Sequence, residues 1–236
     1  MKLLRSRFLK PVLLAALVAS AFAVNADAPR TAGGPPVPLL WKVSDADNSV
    51  YLLGSFHLLK PTDYPLSSDV DAAFKDAESL VFEMTPEEMS SPALAMQMGQ
   101  AALRTDGTTL NSELPPETVA LLDKWLADNA AELQKMGLPP QVLQMFEPWF
   151  VGLTISITEM TKQGLDPKLG LDAHLAAQAG KAGKPTAGLE TGAQQIAFLD
   201  GMGKQEQLQF LAEALSQSKD AKNETAKLHD AWREGN

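Results

Sequence analysis

Three short apolar runs, separated by segments of helical pattern, set the architecture that this chain can adopt. The first two runs are "SVYLLGS" (49–55) and "SLVFE" (79–83). Between them, Ser67 or Ser68 can cap a helix, and the apolar positions that follow recur at helical spacing (Val70, Ala73, Phe74 and Ala77). A strand, a helix and a strand within about 35 residues predict a βαβ unit with parallel strands.

The flanking segments extend this pattern in both directions. "LLWKV" (39–43) and the turn-rich "SDADN" precede the first run, which predicts a β-hairpin. Further along, the sequence predicts a helix over 171–180, a strand over 184–189 and a helix that begins near Thr191. The expected fold class is therefore α/β, with a mixed sheet that contains βαβ units.

A long helical stretch interrupts the alternation. From about 92 to 165 the pattern is almost entirely helical, and Pro-Pro pairs at 115–116 and 139–140 each begin a helix, because proline suits the first turn. The Met-rich "LAMQM" (94–98) is more typical of adaptable core or lid packing than of a cofactor site. Two amphipathic helices are predicted over 204–233. We therefore expect a large helical insertion and C-terminal helices.

The N-terminus has the pattern of a targeting segment. Four basic residues precede an apolar run over 11–24, and Ala26-Asp27-Ala28 follows it (the basic residues are Lys2, Arg5, Arg7 and Lys10). This predicts a secretory signal peptide over 1–28, because the run is too short for a comfortable membrane span. An uncleaved anchor is the alternative. The Pro/Gly-rich stretch 29–38 predicts an extended, mobile lead, so the domain itself spans 39–236.

Charge and cysteine content indicate the compartment and exclude some partners. The chain has 20 Lys and Arg against 29 Asp and Glu; without residues 1–28 these become 16 and 28, a net charge of −12. Such a surface argues against nucleic acid or an anionic membrane as partner. The absence of cysteine means that no disulfide supports the fold, which is common in a bacterial periplasm. We expect a periplasmic protein with no membrane span after signal cleavage.

Each predicted strand is followed by a side chain that can bind a metal or transfer a proton. His57 follows the first, after Gly54, whose conformational freedom would let the backbone turn. Glu83 ends the second strand and Glu190 the third. Ligand sites of open α/β sheets lie beyond the carboxyl ends of parallel strands, so these residues are predicted to converge. A hydrogen-bonded core histidine and helix-capping glutamates are the competing interpretation.

Four segments of the chain, in order, resemble the TraB/GumN family, whose relatives include the Tiki membrane metalloproteases. "LLGSFHLLKP" resembles the family's first G-x-x-H motif, and "LVFEM" resembles the acidic strand that follows it. "GLDAHLAAQAGKAGKPTAGLETGAQQIAFL" looks like the family's "G-x-D…A…GKP-x-x-GLE-T…Q…F" segment. "LHDAWREGN" (228–236) is similar to the stretch just past the helical insertion. The resemblance runs from about residue 39 to 236.

The resemblance implies a metal-dependent hydrolytic site. Carried onto this chain, Gly54 and His57 form the first motif, and His57, Glu83 and Glu190 are the implied metal ligands and catalytic residues. The family's second G-x-x-H motif has no counterpart here, since neither His174 nor His229 has a glycine three residues before it. The chain therefore looks C-terminally truncated relative to the family, which would leave the site incomplete. One histidine and two carboxylates form an oxygen-rich set for a divalent metal, with manganese favoured over zinc.

Three functional hypotheses follow. The leading one is a metal-dependent, peptidase-like hydrolase of peptides or small amides, in which metal lowers the pKa of water and Glu83 or Glu190 takes the proton. The second is a non-catalytic periplasmic protein that binds a peptide or polysaccharide-export partner through Trp149, Phe150 and the Met-rich segment, although burial is the commoner role of such side chains. The third is a remnant of a decayed gene, with loose packing.

Overall fold

Short strands alternate with many helices in the computed structural model, which describes residues 34–236. The described strands are β1 (Leu40–Ser44), β2 (Ser49–Leu53), β3 (Leu80–Phe82) and β4 (Thr186–Gly188). The described helices are α1 (Ser68–Asp76), α2 (Pro86–Met89), α3 (Pro92–Ala101), α4 (Pro116–Asp128), α5 (Ala130–Lys135), α6 (Pro140–Leu143), α7 (Pro148–Lys162), α8 (Leu171–Ala182), α9 (Gly192–Asp200), α10 (Lys204–Ser218) and α11 (Ala221–Glu234). The predicted signal peptide, 1–28, lies outside the described residues.

The predicted hairpin is confirmed. β1 and β2 pair antiparallel, with Trp41 opposite Leu52. Asp45 closes the turn: its side-chain Oδ1 accepts a hydrogen bond of 2.8 Å from the backbone N–H of Asn48. Aspartate favours such turns because its carboxylate binds the backbone amides that follow it.

The parallel pair that defines the α/β class is formed by β3 and β4. Val81 lies opposite Ala187, and helices α2–α8 connect the two strands. The predicted pairing of β3 with β2 is wrong, because β3 pairs with β4 and the hairpin forms a separate sheet. The ammonium group of Lys184, just before β4, binds the backbone carbonyls of Lys75 and Ala77 at the end of α1. A lysine ammonium group at a helix C-terminus is a favourable contact, because it binds the free carbonyls there. It holds the segment before β4 next to the segment between α1 and β3.

The predicted helical insertion and C-terminal helices are confirmed, and the insertion shares one core with α10. α7 is the central helix, and α10 packs along it where Gly152 leaves room for the ring of Phe210. Trp149, which the sequence offered as a partner contact, is fully buried in this core, and Phe150 is half-buried. From the Met-rich segment, Met96 remains exposed. The aromatic residues of the insertion are therefore structural.

The described end of the predicted mobile lead is packed instead. Pro36 and Pro38 are buried, and the backbone carbonyl of Pro36 accepts a hydrogen bond of 3.2 Å from the N–H of Ser67. The N–H of Val37 donates to the carbonyl of Arg233 in α11, at 2.8 Å. Residues 36–38 are therefore fixed between α1 and α11. No helix within residues 34–236 is long and apolar enough to cross a membrane.

Candidate functional site

The segment after β2 holds His57 on a fixed backbone. Leu59 is fully buried and exchanges two backbone hydrogen bonds with Asp166, of 3.2 and 2.8 Å. The carbonyl of Phe56 accepts a 3.0 Å hydrogen bond from the N–H of Leu171, at the start of α8. The imidazole of His57 nevertheless remains 60% exposed. The histidine is thus a surface group on a rigid support, and not the core histidine of the competing interpretation.

The glycine that this arrangement requires is Gly170. A Cβ at Gly170 would overlap the carbonyl oxygen of His57, so a larger residue would push α8 away from the histidine segment. At Gly54, by contrast, a Cβ would meet Leu39 at an ordinary 3.5 Å, and its φ is not in the left-handed region. The predicted turn role of Gly54 is therefore not required. Its carbonyl instead accepts a 3.0 Å hydrogen bond from the indole N–H of Trp232.

Asp172, in the first turn of α8, orients the histidine. Its Oδ2 lies 2.9 Å from Nδ1 of His57 and also accepts a hydrogen bond from the Ser55 hydroxyl. The hydrogen bond to Asp172 raises the pKa of His57. Burial alone would raise the pKa of Asp172, but the hydrogen bonds from His57 and Ser55 hold it below its usual value. With the Nδ1 proton directed at this carboxylate, Nε2 is the ring atom left to act.

Glu83 faces the other side of the ring. It follows β3 directly, and its Oε2 lies 3.8 Å from Nε2 of His57. Gln195, from α9, donates a 3.4 Å hydrogen bond from its side-chain amide to the same carboxylate oxygen. The charge of Glu83 adds to the rise in the pKa of His57, after the larger contribution of Asp172. His57 therefore lies between two carboxylates, one on each ring nitrogen.

Glu190 lies next to Glu83 through its backbone only. Its N–H donates a 2.8 Å hydrogen bond to the carbonyl of Glu83, which continues the β3–β4 pairing. Its exposed side chain lines an open cleft of about 450 Å³ along α9, together with Gln194, Gln195, Phe198 and Leu199. The three predicted site residues thus lie at one edge of the β3–β4 pair. Of their side chains, those of His57 and Glu83 face each other, and Glu190 contacts Glu83 through its backbone.

The donor set fits a metal in part. In residues 34–236, no group of three His, Cys, Asp or Glu side chains is placed to hold one ion. His57 and Glu83 fit as two donors, because Nε2 and a carboxylate oxygen face each other. Asp172 binds Nδ1 as outer-shell carboxylates do behind metal-binding histidines. Glu190 does not complete the predicted three-residue set.

Asp172, Ser55 and Gln195 were not predicted as site residues from the sequence. A signal for Asp172 existed in "GLD", a glycine and an aspartate at the start of a predicted helix. Nothing local indicated that this helix would begin against His57, since the contact joins residues 115 positions apart. Gln195 carries no signal, because a glutamine inside an amphipathic helix is ordinary.

The other two histidines are structural. Nε2 of His229, in α11, is buried and lies 2.8 Å from Oδ2 of Asp63, which is itself fully buried and also bound by Arg233. Nε2 of His174 lies 2.6 Å from the side-chain amide of Gln178 on the same helix. Both are bonded to other partners, and among the described residues His57 is the one histidine of the candidate site.

The comparisons with known proteins agree with the sequence motifs. A sequence model of the TraB/PrgY/gumN family matches residues 39–236, a range that includes every residue of the candidate site. No similar protein was found among the curated proteins, and none among the solved structures. The match spans well over half of the chain. The chain therefore belongs to the TraB/PrgY/gumN family.

Proposed function

We propose that this protein is a periplasmic, metal-dependent hydrolase that cuts an amide bond in a peptide or small amide. The observation that carries the proposal is the imidazole of His57, bound to Asp172 through Nδ1 and facing the carboxylate of Glu83 through Nε2. The ring is exposed, its Nδ1 is hydrogen-bonded to a carboxylate, and its Nε2 faces a second carboxylate. Such a ring is suited to metal binding or proton transfer.

The described side chains divide the work of hydrolysis. A bound divalent metal, manganese or zinc, would lower the pKa of water at the site. His57 and Glu83 are the residues that would hold it. Asp172 keeps the proton on Nδ1, so that the neutral ring offers the lone pair of Nε2, and Gln195 holds the Glu83 carboxylate. Glu190, at the adjacent strand end, is the remaining carboxylate to accept a proton.

Metal binding tests the ligand assignment without any substrate. The protein is first treated with a chelator and then titrated with Mn²⁺ or Zn²⁺ in a calorimeter. We expect it to bind the metal, and we expect His57→Ala and Glu83→Gln each to weaken that binding by about tenfold or more. His174→Gln and Glu78→Gln are the matched controls, because His174 bonds within its own helix and Glu78 is exposed at the opposite end of β3 from Glu83. An affinity unchanged in His57→Ala would refute the assignment.

A second candidate function is a binding role without catalysis, and the hairpin favours it. Trp41 and Val43 of β1 lie opposite Leu52 and Val50 of β2, and all four side chains are about 60% exposed. Together they form a continuous apolar face, and exposed faces of this kind are characteristic of interaction sites. This surface differs from the one that the sequence suggested, because Trp149 is buried. A stable protein that binds no metal in the titrations would favour this role.

A further inference from the structure

We infer that the cleft along α9 is a side-chain subsite, which takes an apolar residue of an extended peptide next to Glu83. The inference deepens the proposed function, since it assigns the substrate class of the same site. The cleft is open to solvent and has a volume of about 450 Å³. That volume is in the range of small-ligand pockets. Its lining residues are Glu190, Gln194, Gln195, Phe198 and Leu199.

The cleft and the candidate catalytic groups share two residues. Gln195 lines the cleft, and its side-chain amide lies 3.4 Å from Oε2 of Glu83. Glu190 lines the cleft, and its backbone N–H binds the carbonyl of Glu83. A group bound in the cleft would therefore contact Gln195, whose side chain contacts the Glu83 carboxylate.

One wall of the cleft is formed by Phe198, an apolar side chain that is highly exposed to solvent. Phe198 is 81% exposed, the highest value among the large hydrophobic side chains of the described residues. It lies one helical turn after Gln194, so its ring and the glutamine amide lie on the same face of α9. Covering such a ring with an aliphatic or aromatic side chain removes apolar surface from water on both partners.

The polar groups of the wall are suited to a peptide backbone. Oε1 of Gln194 accepts hydrogen bonds from the N–H and hydroxyl of Thr191, which fixes its amide in one orientation. The remaining NH₂ group has no partner among the described residues and can donate to a peptide carbonyl. β4 also pairs with a strand on one edge only within residues 34–236, and an extended peptide can add to such an edge.

Charge sets the preference of the subsite. Glu190 lies in the wall and Glu83 lies beside it, so an acidic side chain would meet two carboxylates. An apolar side chain gains the contact with Phe198 and avoids this repulsion. The subsite should therefore prefer leucine to aspartate at the same peptide position.

The test is peptide binding, which does not depend on catalysis. The probes are two fluorescein-labelled, acetylated hexapeptides of alanine, with either leucine or aspartate at the third position, and fluorescence polarisation measures their dissociation constants. We expect the leucine peptide to bind about fivefold or more tightly than the aspartate peptide, and Phe198→Ala to reduce that preference, leaving only the part that comes from charge repulsion. Met145→Ala is the matched control, an exposed apolar residue in the helical insertion that should leave the preference unchanged. Because Phe198 is exposed, its replacement should not unfold the protein, and thermal unfolding verifies this.

The result that would overturn the inference is equal binding of the two peptides by the unaltered protein, or an unchanged preference in Phe198→Ala. If cellohexaose binds and neither peptide does, the inference is also overturned and the cleft is a sugar site. Cleavage of the leucine peptide, monitored by mass spectrometry in the same samples with Mn²⁺ or Zn²⁺ added, separates this inference from the proposed function. A Phe198-dependent preference without cleavage would refute the hydrolase and leave the subsite standing.

Discussion

At the scale of single residues, Asp172 determines the protonation of His57. The carboxylate lies 2.9 Å from Nδ1 and stabilises the charged ring, so the pKa of His57 is raised above 6.5. The stability that this contact contributes is fully present below the unfolded pKa of about 6.5 and is lost as pH rises through the folded pKa. The proposed hydrolysis needs the neutral ring, and we therefore expect that activity to increase as pH rises through the same pKa.

Asp172→Asn tests this role as a positioning residue. Removal of the negative charge should lower the pKa of His57, because the charged ring loses its nearest partner. The acid limb of the kcat/KM profile and the NMR titration midpoint of the His57 ring should both move to lower pH. Asp71→Asn, an exposed change in α1, is the control. An unmoved midpoint in Asp172→Asn would contradict the assignment.

At the scale of elements, the contact between α8 and the histidine segment sets the geometry of the site. It depends on Gly170, whose missing Cβ lets the N-terminus of α8 lie against the carbonyl of His57. The contact brings Asp172 to Nδ1, because Asp172 lies two residues further along the chain. The register of α8 against the histidine segment is thus the element-level determinant of the site.

Gly170→Ala should separate α8 from the histidine segment. The new methyl group overlaps the His57 carbonyl, and we expect a loss of about 1–3 kcal/mol in the free energy of unfolding, together with weakened metal binding. Gly180→Ala is the matched control in the same helix, because a Cβ there has nothing within 4 Å. That change should stabilise the protein by about 0.5–1 kcal/mol. Urea unfolding measures both, and equal effects of the two changes would contradict this account.

The elements that could be predicted from sequence are those that local patterns specify. The β1–β2 hairpin follows from alternating apolar residues around a turn with Asp45, and α9 begins after Thr191, whose side chain caps it. The partner of β3 could not be predicted, because the pairing joins segments more than 100 residues apart in the chain, as does the contact of Lys184 with the end of α1. Asp172 was missed for the same reason, since its partner is set by how α8 packs and not by spacing.

At the scale of the whole molecule, a buried ion network joins α11 to the loop after β2. Asp63 is fully buried, and its carboxylate binds His229, Arg233 and the backbone N–H of Lys60. Burial would raise the pKa of Asp63, but these partners hold it below 3.8. The stability from this group is present above its unfolded pKa and is lost as pH falls through the folded pKa. The network thereby supports the segment that carries His57 against the C-terminal helix.

Asp63→Asn should therefore destabilise the whole protein. Loss of one partner of a buried ion network leaves the others unpaired, and we expect the free energy of unfolding to fall by about 3–5 kcal/mol. Asp69→Asn, an exposed change in α1, should alter it by about 0.5 kcal/mol or less. Urea unfolding at pH 7 measures both changes. A fall in Asp63→Asn no larger than in the control would show that the network is not structural.

The hydrolase proposal is tested most directly by cleavage of the leucine hexapeptide in the presence of Mn²⁺ or Zn²⁺, measured by mass spectrometry. We expect cleavage by the unaltered protein, about 100-fold or more slower in His57→Ala and in Glu83→Gln, and retained in His174→Gln. The absence of cleavage by the unaltered protein with either metal, or an equal rate in His57→Ala, would contradict it.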